Sequence, residues 1–248
     1  HTFVFPGYTI YLARADIFKK RPIARFLRLL KIMPVFRIRD GAENLQQNDE
    51  IFNSSVKVLE AGHRMCIFPE GSHSPVRRLR PLKKGLARIA FQTAQATGFS
   101  LNIKIIPVGL DYTHFSHFRQ VFTLRLGKPI ELKDYYDLYK ENPRRAITLV
   151  MRELAPRIRE LMVNIPTDEY YGTVERLRRY FHHEAIDALG ISGHQRPEQI
   201  QAEQKIIDGL AGAEKDSPEE LQEIQQKEQR YTSLLQEMRT RDWVVRKQ

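Results

Sequence analysis

The sequence predicts an α/β fold, a mixed sheet flanked by helices, followed by an all-helical C-terminal region. Two observations carry this. In the front half, short apolar or alternating runs that read as strands alternate with helical segments of about 12 to 16 residues, the pattern of a sheet packed with helices. After Asn142-Pro143 the helical three-four spacing takes over and persists to the end. The composition divides at the same level of detail: residues 1–164 read as the α/β domain and residues 165–248 as a helical C-terminal extension.

In chain order, Tyr8–Leu12 alternates and is β-rich, so it reads as a strand. From Asp16 to Lys31 the period becomes helical, with Arg21, Arg25, Arg28 and Lys31 near one face and Ile23, Phe26, Leu27 and Leu30 on the other. That pattern suits either a membrane-surface helix or a core helix whose long basic side chains reach water. Met33–Arg37 is the next strand, followed by a polar loop through Asn48. Asn48 is placed to cap a helix over Asp49–Ala61, and Gly62 to end it. Met65–Phe68 reads as a buried strand, Gly85–Thr97 as a helix stopped by Gly98, Ile103–Leu110 as a second buried strand, and Val121–Leu126 as a more exposed one. Arg144–Val163 is a long helix. The Gly209–Ser217 stretch reads as a loop, and Ser217-Pro218-Glu219-Glu220 as a capped helix start with proline in its first turn. Leu221, Ile224, Tyr231, Leu235 and Met238 then form an apolar stripe of about two and a half heptads. Docking on the domain and self-association or partner binding through 217–239 are both open to it.

The densest local signal is Phe68-Pro69-Glu70-Gly71-Ser72-His73-Ser74. Pro69 and Gly71 end the strand and force a turn, leaving the Glu70 carboxylate at the strand's mouth, where open α/β sheets place their ligands. Together with Met33-Pro34-Val35-Phe36-Arg37 before it and Ile105-Ile106-Pro107-Val108 after it, this block resembles the glycerolipid acyltransferase family, the lysophosphatidic acid acyltransferases and their relatives. The resemblance runs over roughly residues 8 to 130 and rests on three blocks in the right order. It implies that Arg37 binds the phosphate of the acceptor, for which a planar guanidinium fork is suited, and that Glu70, Gly71 and Ser72 form the rest of the acceptor-binding turn. His73 stands where most members carry a basic residue. Lys83-Lys84-Gly85 resembles the family's lead-in to a helix.

The family's catalytic signature, a His and an Asp separated by four residues, lies upstream of all three blocks. His1 does not supply it, because the Asp position is occupied by Pro6. The chain therefore reads as a fragment that begins just downstream of the motif, with no catalytic residue of its own and no activity by itself. His182 and Asp187 repeat the spacing, but far downstream and inside a helical stretch, so the match is taken as coincidental.

Composition narrows the remaining classes. Cys66, in a predicted buried strand, is the single cysteine, which excludes a disulfide framework and points to core packing. No Cys/His cluster has metal-ligand spacing, so no metal site is expected. No run approaches the roughly 20 apolar residues of a transmembrane helix. Residues 1–164 hold 28 Lys+Arg against 14 Asp+Glu, and residues 165–248 hold 12 against 16, so +14 and −4 make up the net +10. A basic front half suggests an anionic partner for that half alone. Arg77, Arg78, Arg80, Lys83 and Lys84 are the densest part of that charge. They read either as a solvated run or as attraction to a phosphate substrate, to the phosphates of coenzyme A, or to anionic lipid.

If the resemblance holds, the full protein transfers a fatty acyl group from acyl-CoA or acyl carrier protein to a phosphate-bearing glycerolipid such as lysophosphatidic acid. No tightly bound cofactor is needed, and the expected setting is the cytoplasmic face of a membrane. A catalytically silent lipid-binding relative is the first alternative. A basic nucleic-acid-binding protein is the second, and the absence of stacking aromatics or a recognised motif counts against it, so no nucleic-acid partner is expected.

Overall fold

The computed structural model describes residues 9–35, 44–72, 74–112 and 121–245. It is a mixed α/β structure with three short sheets and a C-terminal helical region. Its chain gathers into two compact units that do not follow chain order: residues 1–73, 80–107 and 128–157 form the first, and residues 74–79, 108–127 and 158–248 the second.

The first unit is built on a parallel sheet of β1 (Thr9–Arg14), β2 (Ile32–Val35) and β3 (Arg64–Cys66), in the order β2-β1-β3. Tyr11 pairs with Ile32 on one side and with Cys66 on the other. Tyr11 and Leu12 are adjacent yet both buried, as expected of a central parallel strand covered on both faces. The crossovers are α1 (Arg21–Leu29) and α2 (Asn44–Glu60). The predicted helix over Asp16–Lys31 is divided, because Pro22 sets a helix start: a 3-10 turn covers Ala15–Phe18, Lys20 is extended, and α1 begins at Arg21. Asn48 does not cap α2, which begins a full turn earlier, where Leu45, Gln46 and Gln47 are all good helix formers. Its end is as expected: Gly62 has φ +73°, and the Gly62 and His63 amides donate to the Leu59 and Val58 carbonyls.

Next come α3 (Gly85–Ala96), the antiparallel pair β4 (Lys104–Ile105) and β7 (Ile130–Glu131), α4 (Tyr136–Glu141) and α5 (Pro143–Arg159). The face of α3 carrying Ala87, Ala90, Phe91 and Ala94 is buried, and Phe91 stacks on Tyr139 at 4.3 Å between ring centroids. The predicted strand over Ile103–Leu110 is two strands. Pro107 has no N–H to continue a ladder, so β4 stops at Ile105 and β5 (Val108–Tyr112) starts afresh in another sheet.

In the second unit β5 pairs antiparallel with β6 (Phe122–Leu126). The helices are α6 (Tyr171–Tyr180), α7 (His182–Leu189), α8 (Arg196–Asp216), α9 (Pro218–Glu237) and the short α10 (Asp242–Val245). Val163, Ile165, Val174, Ile200, Ile207 and Leu221 form its core, with Leu210 and Ala213 packed against it. The stretch predicted as a loop over Gly209–Ser217 is therefore mostly helix: burial on α8 outweighs the roughly 1 kcal/mol that each of Gly209 and Gly212 costs in a helix. Pro218 opens α9 as expected, although Ser217 makes no side-chain cap bond. On the α9 stripe Leu221 and Leu235 are buried and Met238 is exposed.

Candidate active site

The three parallel strands of the first unit all point their C-terminal ends to one edge of the sheet. With the order β2-β1-β3 the strand succession reverses between β1 and β3, the switch point where open α/β sheets leave a crevice for ligand. The Phe68–Gly71 turn emerges from β3 at that end. It is closed by the Gly71 amide donating to the Phe68 carbonyl at 3.2 Å.

Two further bonds hold the turn. The Glu70 carboxylate accepts the Arg80 backbone N–H at 3.0 Å, and the Lys83 N–H donates to the Pro69 carbonyl at 2.7 Å. The 80–83 segment thus runs along the turn. Gly71 has φ +66°, a conformation that costs a side chain roughly 1–2 kcal/mol. Space is not the constraint, since an added Cβ would meet only the Lys83 Cγ at 3.6 Å. Ser72 follows, half-buried. Arg37 and His73 lie outside the described residues.

Around this turn Arg80, Lys83, Lys84 and Arg88 are exposed. The first turn of α3 holds no acidic residue, and Lys84 Nζ donates to Thr148 Oγ1 of α5 at 3.1 Å, which steadies the start of the helix. This edge of the first unit therefore presents cations and helix amides together, a setting for an anionic group.

Arg77 and Arg78 are used differently, within the second unit. Arg77 is 5% exposed; it binds Asp111 at 2.7 Å and donates to the Tyr112 carbonyl. Asp111 also accepts from Arg196 at 2.8 Å, Arg196 pairs with Glu203, Glu203 with Arg178, Arg178 with Glu175 at 2.6 Å, and Glu175 returns to Arg77 at 3.6 Å. Three arginines and three carboxylates make a closed, neutral ring. Arg78 donates to the Ile165 carbonyl at 2.8 Å, to the Thr167 carbonyl, and to Asp168 at 2.6 Å. These two arginines tie the 74–79 segment to its own unit and do not belong to an anion-binding run. Their partners are far off in sequence. Asp111 carried the one readable signal, an acid directly after an apolar strand run.

Cys66 is half-buried beside Tyr11, and burial pushes its thiol up, so it is a protonated packing residue and no nucleophile. His182 and Asp187 lie five positions apart on α7, about 140° around the helix axis, so they do not share a face. Among the described residues no group of His, Cys, Asp and Glu is disposed to hold a metal ion.

A switch-point turn of this kind, on a parallel sheet with a basic rim, is a position where α/β domains commonly hold a ligand. Residues 2–111 match the profile of the Acyltransferase family, so this part of the chain is similar to glycerolipid acyltransferases. It is 28% identical over 135 residues to a glycerol-3-phosphate O-acyltransferase 2 of Saccharomyces cerevisiae, covering 54% of this chain and 18% of that protein. It is 28% identical over 133 residues to an uncharacterised acyltransferase of Schizosaccharomyces pombe, covering 53% and 20%. A glycerol-3-phosphate O-acyltransferase 1 of Saccharomyces cerevisiae is 29% identical over 124 residues, covering 48% and 16%. The matched stretches thus span a fifth or less of each relative's own length.

Proposed function

We propose that this chain carries the acceptor-binding part of a glycerolipid acyltransferase site, with the Phe68–Ser72 turn and Arg37 holding a phosphate-bearing glycerol acceptor. The observation that supports it most is the clamped turn at the β1/β3 switch point, rimmed by exposed Arg80, Lys83 and Lys84. Glu70 holds the turn through the Arg80 amide, Gly71 supplies its positive φ, and Arg37 provides the bidentate phosphate contact that the resemblance implies.

In the reaction, a base takes the proton of the acceptor hydroxyl, and the oxygen adds to the carbonyl carbon of the acyl thioester. The C–S bond then breaks, the new ester C–O bond remains, and the thiolate leaves with the proton. The resemblance assigns the base to a His–Asp pair upstream of these residues. This chain's own residues fix the acceptor so that the hydroxyl lies near the thioester carbonyl. The donor is acyl-CoA or acyl carrier protein, no bound cofactor takes part, and the setting is the cytoplasmic face of a membrane. Two relatives are named for glycerol 3-phosphate, which makes it the first acceptor to try, ahead of lysophosphatidic acid.

Titration calorimetry of the chain with glycerol 3-phosphate, lysophosphatidic acid and monoacylglycerol tests this. Phosphate-bearing acceptors should bind, and Arg37→Ala should weaken them at least about tenfold, the scale of a lost charge-assisted bond. Equal binding of monoacylglycerol, or no effect of Arg37→Ala, would overturn it.

A further inference from the structure

The helix α1 has three sides. At about 100° per residue, Ala24 and Leu27 lie on the side that turns inward, where Ala24 is buried and Leu27 half-buried. Next around the helix come Ile23, Phe26 and Leu29, exposed at 43%, 59% and 78%, with Pro22 between them. Beyond these, Arg21, Arg25 and Arg28 form a stripe about 60° wide, all exposed. The 3-10 turn ahead of the helix adds Ile17, 44% exposed, and the link to α1 adds Lys19 and Lys20. The only acid in this segment, Asp16, is held by Arg14. An apolar stripe is thus left uncovered beside a row of cations.

We propose that this face of α1 is a docking surface for an anionic lipid bilayer, with Ile17, Ile23, Phe26 and Leu29 entering the headgroup–acyl boundary and Lys19, Lys20, Arg21, Arg25 and Arg28 meeting lipid phosphates. Charge selects lipid as the occupant. A second copy of the chain would bring an identical row of cations against this one, whereas an anionic membrane neutralises it. This inference stands on the exposure and charge of α1 and does not depend on the acyl-transfer chemistry.

Flotation of the chain with vesicles of phosphatidylcholine, alone or mixed with phosphatidylserine, is the test. The chain should float with the mixed vesicles. Phe26→Gln with Leu29→Gln should lower its partition about tenfold or more, because two exposed apolar side chains no longer enter the lipid. Arg21→Gln, Arg25→Gln and Arg28→Gln together should lower it about a hundredfold on the mixed vesicles, at about fivefold per cation, and leave phosphatidylcholine alone unaffected. In a Trp243→Phe background, the indole of Leu29→Trp should be quenched by brominated acyl chains. Unchanged flotation of the Phe26/Leu29 variant, or an unquenched indole in chain that floats, would overturn the proposal. So would a parent that sediments as a dimer and becomes monomeric in that variant, since the stripe would then join two copies.

Discussion

Replacing Arg178 with Met tests whether the six-charge ring holds the second unit together. Arg178 is 2% exposed, with Nε and Nη2 on Glu175 at 2.9 and 2.6 Å and Nη1 on Glu203. Met fills most of the volume, so the loss is chiefly electrostatic. Without the guanidinium, Glu203, itself 5% exposed, keeps only Arg196, and the ring turns from neutral to net negative. Removing one partner of a buried pair costs about 3–5 kcal/mol, and the retained packing argues for the lower figure, about 3 kcal/mol. Urea unfolding followed by circular dichroism and by the single tryptophan, Trp243, which lies in the same unit, measures it. Adding Glu203→Gln should recover much of the loss, because two arginines then face two carboxylates and the ring is neutral again. A loss below about 1 kcal/mol, or a double variant no more stable than the single one, would mean that water replaces the guanidinium and that the ring does not act as a unit.

Two further outcomes follow from the same unit. Burial pushes the Glu175 and Glu228 carboxyls up, but hydrogen bonds and charge from Arg178 and from Arg176, respectively, outweigh it and hold both below the usual carboxylate range. Acids depressed in the folded state contribute stability that is present above the unfolded glutamate value of about 4.3 and lost as pH falls through the folded value. The urea midpoint should accordingly stay level from neutral pH and fall below that value, with a shallower fall in Arg178→Met. Gly109→Ala should destabilise by about 3 kcal/mol or more in thermal unfolding, since its Cβ would sit 2.3 Å from the Leu161 carbonyl oxygen, which is backbone and cannot swing away. An unchanged melting temperature would show that β5 and Leu161 are not packed this closely.

What could be read from the sequence was what local chemistry decides. Pro69 and Gly71 dictate the turn wherever the chain lies, and Gly62 and Gly98 end their helices with positive φ for the same local reason. Pro22 and Pro107 carried equally local information, and reading a helix through one and a strand through the other set aside the missing N–H of proline. Gly209 and Gly212 are a different case. Their local preference is against helix, and only burial of Ile207 and Leu210, invisible to any window of sequence, overrides it. Arg77 and Arg78 are the clearest example. Beside Arg80, Lys83 and Lys84 they look like members of one run, yet their partners are Asp111, Glu175, Ile165, Thr167 and Asp168, roughly 35 to 100 residues onward.

That division changes what the charge of the front half means. A net +14 over residues 1–164 looks like a surface diffusely attractive to anions. Two of its most conspicuous arginines are neutralised within the ring and at Asp168, and Arg14 is taken by Asp16. Among the described residues of the first unit, two stretches of exposed cations stand beside features that could use them: Lys19–Arg28 beside bare apolar side chains, and Arg80–Arg88 along a glycine turn and a helix start. The two differ in kind. An amphipathic face holds a surface and gains little from any single anion, whereas converging amides and cations at a fixed turn hold one small anionic group. Salt should separate them: binding of vesicles through α1 should keep an apolar remainder at high ionic strength, while a phosphate held at the turn by charge should be lost there.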